Sequence, residues 1–461
     1  MPLHALQTEW DADLTAGDPL GFPGYVPPPE ESVLTGRCAV ELASGDTNAY
    51  ALVEGRFDVL GGSMGAAHGE RVARAYRRAA AERLPVVVLT SSGGARMQEG
   101  MVALVQMART TAAARDHAVA GLLQVAVHRN PTTGGVFASY GSLADIRAAE
   151  PGATVGFAGP RVVEHTTGSP LPEGSHTAES AFDAGLVDAL VGPDAHAAWV
   201  ETALGLRDTP LVLPERHDAA PSGFSPGPYG EVQRARDPRR PSGYEWASRL
   251  ASSWTELRGT DPVMRAGLAT IDGRRVMVVA MHSRGPDAAN GPGPAGFRLA
   301  QRAITLAGRI GLPLVTFVDT RGADPRAESE AGGIAGEIAR TFAAMDALPT
   351  PTVAVCVGEG GSGGALAVAN ADVLLIQEHA IFSVIGPAGA AAILYRSADR
   401  TPQLAAQLKL TSADLLELGV VDEVIPDDDP GPAIAAALDR AKPGDRRRRP
   451  DAATARWLTS P

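Results

Sequence analysis

Cysteine, long apolar runs and positive charge are all scarce in this sequence, and each shortage excludes a class of protein. The 461 residues include two cysteines, Cys38 and Cys356, which lie far apart in apolar surroundings. Neither a disulfide framework nor a four-thiolate zinc site can be built within the chain, so we expect no structural metal. No apolar run is long enough to span a bilayer, and no basic segment followed by an apolar stretch opens the sequence. We therefore expect a cytoplasmic protein without membrane contact.

Acidic residues outnumber basic residues, and the formal net charge is -12 at pH 7. Nonspecific nucleic-acid binding depends on clustered positive charge, so we expect no nucleic-acid partner. The exception is an arginine run at residues 446–449, flanked by Pro443, Gly444 and Pro450. We expect a solvated tail there, with contact to a polyanion as the alternative.

The most informative stretch is a glycine-rich loop, Gly358-Glu-Gly-Gly-Ser-Gly-Gly-Ala365, which follows an apolar run at residues 352–357. The pattern predicts a buried strand, a turn and the start of a helix. The first N–H groups of a helix have no intrahelical acceptor, and the helix dipole favours negative charge there. A phosphate or a developing oxyanion is therefore the expected ligand.

The residues after the glycines separate these two ligands. Gly364 is followed by Ala365 and Leu366, and no lysine lies nearby. A Walker loop needs Gly-Lys-Ser/Thr at this point, and a Rossmann loop needs Gly-x-Gly-x-x-Gly with an acidic residue about 20 positions later. The loop therefore does not match a nucleotide phosphate clamp. Taken alone, it is also compatible with glycines that only permit tight packing of the strand on the helix.

A second copy of the pattern favours the oxyanion interpretation. An apolar run at residues 121–127 leads to Gly134 and Gly135, and similar units precede both copies, at residues 84–95 and 312–323. Strands that alternate with helices twice over predict two related α/β halves. Each half has a glycine pair in the same place, so we expect two oxyanion sites.

Composition and periodicity also predict the domain boundaries and several elements. Strands are predicted at residues 49–53 and 56–60, and helices at residues 69–83, 101–114 and 244–257. At the start of the second helix, Arg96, Gln98 and Glu99 are candidates for catalysis or substrate contact; the alternative is that Gln98 and Glu99 stabilise the helix N-terminus. The predicted domains are a loosely ordered arm (1–31), a first domain (32–207), a linker rich in proline and glycine (208–241), a second domain (242–440) and a basic tail (441–461).

Several motifs resemble the bacterial acetyl-CoA carboxylase carboxyltransferase. The first half resembles its β subunit and the second half its α subunit. The matching segments are Gly61-Gly-Ser-Met-Gly65, Ser92-Gly-Gly-Ala-Arg-Met-Gln-Glu99, Pro131-Thr-Thr-Gly-Gly135, Gly156-Phe-Ala-Gly-Pro-Arg-Val162, Gly358 to Ala365, Ser383-Val-Ile385, Ile393-Leu394 and Ser397-Ala-Asp399.

The resemblance implies a fold and an activity. The fold is two crotonase-like β-β-α superhelical domains in tandem, and the activity is transfer of CO2 from carboxybiotin to the α-carbon of an acyl-CoA, by default acetyl-CoA. No Met-Lys-Met biotin-attachment site is present. The resemblance therefore implies biotin on a separate biotin carboxyl carrier protein, a biotin carboxylase as a further partner, and a homo-oligomer, most simply a dimer, whose chamber lies across an interface.

The resemblance also implies site residues. The backbone N–H groups of Gly134 and Gly135 would hold the thioester enolate oxygen, and those of Gly363, Gly364 and Ala365 the ureido oxygen of biotin. The implied substrate-binding residues are Gly93, Gly94, Ala95, Arg96, Gly159, Arg161, Gly322, Ala323, Gly360 and Gly361.

The sequence departs from that family in three places. It has no four-cysteine zinc ribbon, Asp319-Thr-Arg-Gly-Ala323 replaces Asp-Thr-Pro-Gly-Ala, and Ser283-Arg-Gly-Pro286 replaces a basic Lys-Gly-Arg. The last two lie where the family places substrates, so acetyl is not fixed as the acyl group. The alternatives are a malonyl-thioester decarboxylase of the same fold and a non-catalytic CoA-binding scaffold. A hydratase or isomerase needs a positioned carboxylate, which the loops at 132–135 and 360–365 do not supply.

Overall fold

The computed structural model describes residues 4, 6–42, 47–213, 223–282 and 291–458 of the chain. The departure at Ser283 to Pro286 lies outside these residues. The chain divides into two compact units, Met1–Arg207 and Asp208–Pro461, here called unit 1 and unit 2.

Unit 1 is built on a sheet of eight strands. The strands are β1 (Leu6–Glu9), β2 (Val33–Glu41), β3 (Thr47–Gly55), β4 (Val86–Ser92), β5 (Gln124–Thr133), β6 (Ile146–Ala149), β7 (Val155–Gly156) and β8 (Ala189–Leu190). The helices are α1 (Ala66–Ala81), α2 (Gly100–Leu104), α3 (Gln106–Val119), α4 (Gly134–Val136), α5 (Pro160–Thr167), α6 (Ala178–Asp183) and α7 (His196–Leu204).

Unit 2 has a second sheet of eight strands. The strands are β9 (Ala251–Leu257), β10 (Met264–Ile271), β11 (Arg274–Met281), β12 (Leu314–Thr320), β13 (Thr352–Gly361), β14 (Val373–Gln377), β15 (Ile381–Ser383) and β16 (Glu423–Ile425). The helices are α8 (Pro228–Ala235), α9 (Gly243–Leu250), α10 (Pro294–Ile310), α11 (Ala327–Ala331), α12 (Ile334–Ala347), α13 (Ser362–Ala369), α14 (Pro387–Tyr395), α15 (Thr401–Gln407), α16 (Ser412–Leu418), α17 (Gly431–Arg440) and α18 (Asp445–Ala455).

The two sheets have the same topology. Their orders are β1-β2-β3-β4-β5-β6-β8, with β7 beside β5, and β9-β10-β11-β12-β13-β14-β16, with β15 beside β13. In each sheet the first three strands pair antiparallel and the later pairings are parallel. The prediction of two related α/β halves is therefore confirmed.

Burial explains why the central strands read as continuous apolar runs. Every residue of β4, β12, β13 and β14 is buried, as expected for parallel strands covered on both faces. Within the described part of the chain, no helix has both the length and the apolar character needed to cross a bilayer.

Three local predictions were wrong. The arm predicted at 1–31 is ordered at residues 6–10, where β1 pairs with β2 and Trp10 is 5% exposed in the core of unit 1. The strand predicted at 56–60 does not form: β3 ends at Gly55, and a 3-10 turn follows at Leu60–Gly62. The helix predicted at 244–257 is α9 followed by β9, since residues from Ala251 onward pair with β10.

The segment expected to be a linker contains a folded helix. Val232 and Ala235 of α8 are buried against Ile381 and Leu410 of unit 2. Proline and glycine flank this helix, and composition averaged over residues 208–241 therefore obscured it.

The arginine run is not a solvated tail, and this prediction was also wrong. Arg446 lies in α18, its side chain is 0% exposed, and its Nε and Nη2 atoms bond Asp372 at 2.9 and 2.7 Å. Asp372 also accepts hydrogen bonds from the backbone N–H and the hydroxyl of Thr352, at 2.9 and 2.8 Å. One buried carboxylate thus joins α18 to the start of β13.

We expect Arg446→Met to destabilise unit 2, because it leaves the Asp372 carboxylate buried without its counter-charge. The loss should be about 3–5 kcal/mol in the free energy of unfolding, measured by urea denaturation. Arg448→Met is the matched control: its side chain is 84% exposed and pairs with Asp445 at 3.1 Å, and it should cost less than about 1 kcal/mol. Equal losses in the two variants would contradict the assignment.

Candidate functional site

In unit 1, two turns cross with their backbones in contact. The turn after β4 carries Gly94 with φ 120°, and the turn after β5 carries Gly134 with φ 60°. A Cβ atom at Gly134 would lie 2.6 Å from the Cα of Gly94. The close approach excludes a side chain at Gly134, and the backbone angle at Gly94 is one that favours glycine.

Hydrogen bonds decide which N–H groups at this crossing are free. Gly134 donates its N–H to the carbonyl of Phe157 at 2.8 Å, so its contribution is conformational. Gly135 follows at the second position of the helical turn, where an N–H has no intrahelical acceptor. Ala95 forms an isolated parallel β-bridge with Met64, and the residues on either side of Ala95 make its hydrogen bonds. The N–H of Met64 donates to Gly94 O at 2.8 Å, and the N–H of Arg96 donates to Met64 O at 2.9 Å. The N–H of Ala95 therefore points away from Met64.

Unit 2 repeats this crossing. Gly322 has φ 141° in the turn after β12, and a Cβ atom at Gly361 would clash with the carbonyl of Arg321. A Cβ atom at Gly364 would lie 2.7 Å from the backbone nitrogen of Ala323. At Gly363, by contrast, nothing lies within 4 Å of the Cβ position, so this residue faces open space.

Helix geometry selects the donors in unit 2. Gly361 is the N-cap of α13 and Ser362 its first residue. The carbonyl of the N-cap accepts the first intrahelical bond, which comes from the residue four positions later, Ala365. Gly363 and Gly364 therefore keep free N–H groups, whereas the N–H of Ala365 is directed into the helix.

The same hydrogen-bonded turn shapes both loops. In unit 1 the N–H of Gly94 donates to Ser92 Oγ at 3.0 Å, and in unit 2 the N–H of Gly322 donates to Thr320 Oγ1 at 3.3 Å. The hydroxyl of Thr320 donates back to the carbonyl of Gly322 at 2.8 Å. A hydroxyl at the last strand residue thus turns the chain at this point in each unit.

The strand register shows that the two glycine pairs are offset by one residue. Ser92 pairs with Thr132 in unit 1, and Thr320 pairs with Gly360 in unit 2. Counting from these pairs, Gly134 corresponds to Ser362, which has φ 56°. The prediction of a glycine pair in the same place in each half was therefore wrong. Gly135 corresponds to Gly363, and both follow the residue with positive φ.

Arg96 lies in a buried ion cluster beside the unit 1 crossing. Its side chain is 0% exposed and pairs with Glu31, and with Glu99 at 2.9 Å. Burial disfavours the charged form of Glu31, but hydrogen bonding and the charge of Arg96 outweigh it and lower the pKa of this carboxyl. Glu99 accepts the N–H of Ala66 at 2.6 Å, so it stabilises the N-terminus of α1 rather than of its own helix.

The other predicted substrate-binding residues lie at the edges of these crossings. The N–H of Gly93 donates to Gly61 O at 2.9 Å, and Gly360 packs against the Phe382 ring. Gly159 is the N-cap of α5, and Arg161, one position into that helix, is exposed. β7, which leads to α5, pairs with β5 at Thr132 and Thr133.

His68 and His128 are two of the buried histidines of unit 1. His128 Nδ1 is 2.8 Å from Thr90 Oγ1, which in turn is 2.9 Å from Thr132 Oγ1. His68 lies between Ser32 and Tyr140, at 2.8 and 3.0 Å. Burial lowers the pKa of each histidine to about 3, so both are neutral and act as hydrogen-bonding parts of the core.

Sequence reasoning missed an ion pair that supports the unit 2 loop. Arg236, directly after α8, bonds Glu359 through Nε at 2.5 Å and Nη2 at 2.7 Å. The Glu359 side chain is 4% exposed, and its backbone N–H donates to Asp319 Oδ1 at 3.2 Å. Glu359 immediately precedes Gly360 and Gly361, so the pair fixes the strand end from which the loop begins. The Arg-x-Pro-x-Arg sequence at 236–240 was the available signal.

Comparisons with known proteins agree on one family. The carboxyl transferase domain family matches residues 25–181, and the acetyl co-enzyme A carboxylase carboxyltransferase-like family matches residues 226–441. The acetyl-coenzyme A carboxylase carboxyl transferase subunits beta/alpha of Salinispora arenicola is 42% identical over 454 residues, 90% of this chain and 78% of that protein. A probable biotin-dependent acyl-coenzyme A carboxylase beta3 subunit of Mycobacterium bovis is 40% identical over 403 residues, 86% of this chain and 80% of that protein.

A solved structure is similar over almost the whole chain. Transcarboxylase 12S, described as a hexamer with methylmalonyl-coenzyme A and methylmalonic acid bound, superposes with a TM-score of 0.77 at 22% identity. The match covers 94% of this chain and 86% of that one. The predicted fold, two crotonase-like α/β domains in tandem, is confirmed.

We expect Arg236→Met to weaken unit 2 by about 3 kcal/mol, because it leaves the Glu359 carboxylate buried and unpaired. Arg236→Met/Glu359→Gln, which removes both charges, should recover most of that loss in urea denaturation. A single variant as stable as the wild type, or a double variant no better than the single one, would contradict a supporting role for the pair.

Proposed function

The chain belongs to the acetyl-CoA carboxylase carboxyltransferase family, and from this premise we propose that it transfers CO2 from carboxybiotin to the α-carbon of an acyl-CoA. The observation that carries this proposal is the pair of backbone crossings, each with N–H groups left free beside a glycine turn. Such donors stabilise an oxyanion without a side-chain acid. Two such sites suit a reaction in which two carbonyl oxygens gain negative charge.

We assign the thioester to unit 1. The N–H groups of Gly135 and Ala95 would donate to the thioester oxygen, and this stabilises the enolate that forms when the α-carbon loses a proton. A donor of this kind contributes roughly 3 kcal/mol to the barrier. Buried, neutral His128 and its threonine partners hold the end of β5, from which the loop starts.

We assign the ureido group of biotin to unit 2. The open space at Gly363 leaves room for a ligand, and the absence of side chains at Gly361 and Gly364 lets the loop pack against the turn at Arg321 and Ala323. Biotin, carried on a separate protein, would supply the carboxyl group at N1′ and a basic nitrogen once that group has left. The N–H groups of Gly363 and Gly364 would hold its carbonyl oxygen as negative charge develops there.

The proposed transfer balances without a catalytic carboxylate from this chain. Carboxybiotin would supply the carboxyl group from N1′ and accept the α-proton of the acyl-CoA there, and the carboxyl carbon would bond to the α-carbon. Acetyl-CoA is the default acyl substrate that we propose, because the Salinispora relative is named for it. Transcarboxylase 12S, which has a similar fold, is described with methylmalonyl-CoA bound, and a larger acyl group is therefore the alternative that we propose.

We further propose that a biotin carboxyl carrier protein and a biotin carboxylase supply carboxybiotin, and that the chain functions as a homo-oligomer. A dimer is the simplest form in which each site receives one loop from unit 1 and one from unit 2 of another copy. The transcarboxylase hexamer makes a larger assembly equally compatible. Light scattering of the active protein should give a mass of at least two chains; full activity at the mass of one chain would contradict the assembly.

Gly363 offers a matched pair of variants. Gly363→Ala keeps the N–H but places a methyl group in the space proposed for the ligand, so activity should fall, by less than about tenfold. Gly363→Pro deletes the N–H early in a helix, where proline is tolerated, and should lower turnover by about 100-fold or more. The measurement is biotin-dependent decarboxylation of malonyl-CoA.

CoA-ester binding and circular dichroism are the controls, and both should stay unchanged in the proline variant. Near-normal turnover of Gly363→Pro would contradict a backbone oxyanion site here. Gly364 is less suitable, because any Cβ atom there displaces Ala323. Biotin-independent decarboxylation by the wild type would instead favour a decarboxylase of the same fold.

A further inference from the structure

Helix α5 differs from the other helices of unit 1 in its burial. Each of α1–α4, α6 and α7 has buried residues. In α5, all of whose residues the structure describes, none is buried. The N–H of Gly168 donates to Glu164 O at 2.9 Å and Thr167 Oγ1 donates to Val163 O at 2.8 Å, so these bonds stay within the helix and its C-cap. Packing on the rest of unit 1 therefore contributes little to holding α5 in place.

The segment that carries α5 leaves the unit 1 sheet and returns to it at one point. We call residues 157–175 the flap. At its ends, the N–H of Val155 donates to His176 O at 2.9 Å. Glycine lies on both sides of α5: Gly159 is its N-cap, and Gly168, with φ 70°, is its C-cap. A long excursion with joined ends and glycine beside its helix is typical of a mobile active-site loop.

The flap is anchored directly beside the proposed thioester site. The carbonyl of Phe157, its first residue, accepts the N–H of Gly134 at 2.8 Å, and the next residue, Gly135, is one of the proposed donors to the thioester oxygen. Phe157 is 67% exposed, and Val162, in the first turn of α5, is 59% exposed. Two apolar side chains are thus presented to solvent on a segment that starts at the site.

We propose that the flap closes over the thioester of the bound acyl-CoA, with Phe157 and Val162 packing on the acyl group; this inference rests on the proposed function. Closure would bury apolar surface that the free chain exposes, and this burial favours the closed state. It would also keep water away from the enolate, which water would otherwise protonate. A second copy of the chain covering the same side chains is the alternative, and that contact would depend on protein concentration rather than on acyl-CoA.

Hydrogen–deuterium exchange of the full chain measures the closure. The amides of α5 should exchange about tenfold or more slowly with saturating acetyl-CoA than without ligand, because a closed flap suppresses local opening of the helix. CoA, which lacks the acetyl group, should slow exchange less. The amides of α18, in unit 2, are the internal reference and should not change.

Variants of the two exposed side chains provide a second measurement, since changing them costs the free chain little stability. Phe157→Ser should weaken acetyl-CoA binding about tenfold in calorimetric titration, and Val162→Ser about threefold, because the apolar contact with the acyl group is lost. CoA binding should change less than about twofold in both. Val119→Ser is the matched control, because Val119 is 71% exposed at the end of α3 in the same unit, and it should leave both affinities unchanged.

Acetyl-CoA binding without slower exchange in α5 would overturn the closure. An unchanged acetyl-CoA affinity in Phe157→Ser, or an equal loss for acetyl-CoA and CoA, would overturn the contact with the acyl group. Slower exchange that follows protein concentration and not the ligand would assign α5 to a contact between copies and also overturn the proposal. A wild-type chain that binds neither ligand would contradict the proposed function itself, a result distinct from all of these.

Discussion

The close approach of two backbone turns is the constraint on which the rest of each unit depends. At the unit 1 crossing there is room for Cα of Gly134 against Cα of Gly94 and for no side chain between them. Such contact requires the turns after two neighbouring strands to lie at the same edge of the sheet. The parallel pairings of β4 with β5 and of β12 with β13 place them there. The hydroxyl-turned loops then direct free N–H groups outward. Packing, register and donor geometry are thus parts of one arrangement.

The two units use the same frame with different charges. Arg96 and Asp324 occupy equivalent places, since their N–H groups donate to Met64 O at 2.9 Å and Pro292 O at 3.0 Å. Both side chains are buried, yet one is a cation matched by carboxylates and the other a carboxylate matched by an arginine. Buried charge of either sign is tolerated here because each unit supplies its own counter-ion. The backbone frame is therefore independent of the charge set built around it.

Sequence reasoning found the strands and glycine turns and missed the long-range ion pairs, and the physical reason is locality. A buried parallel strand and a glycine turn are each determined by residues adjacent in sequence. The strand and turn at Val353 to Gly364 could therefore be predicted from the sequence directly. Arg446 was misplaced because its burial depends on Asp372, 74 residues earlier in the chain. Arg236 was overlooked because its partner, Glu359, is 123 residues away. The one-residue offset arose because Ser362 adopts a positive φ that glycine usually supplies.

The anchoring of α18 also sets the order in which the chain can mature during synthesis. Unit 1 ends at Arg207, and the residues of its main core cluster all precede that residue, so they are translated before unit 2. In unit 2, Asp372 precedes Arg446 in the sequence. β13 and β14 are therefore translated well before the arginine that neutralises the Asp372 carboxylate. N-terminal domains generally fold first, as units. Until α18 has been synthesised, unit 2 therefore carries an unneutralised carboxylate at the start of its central strands.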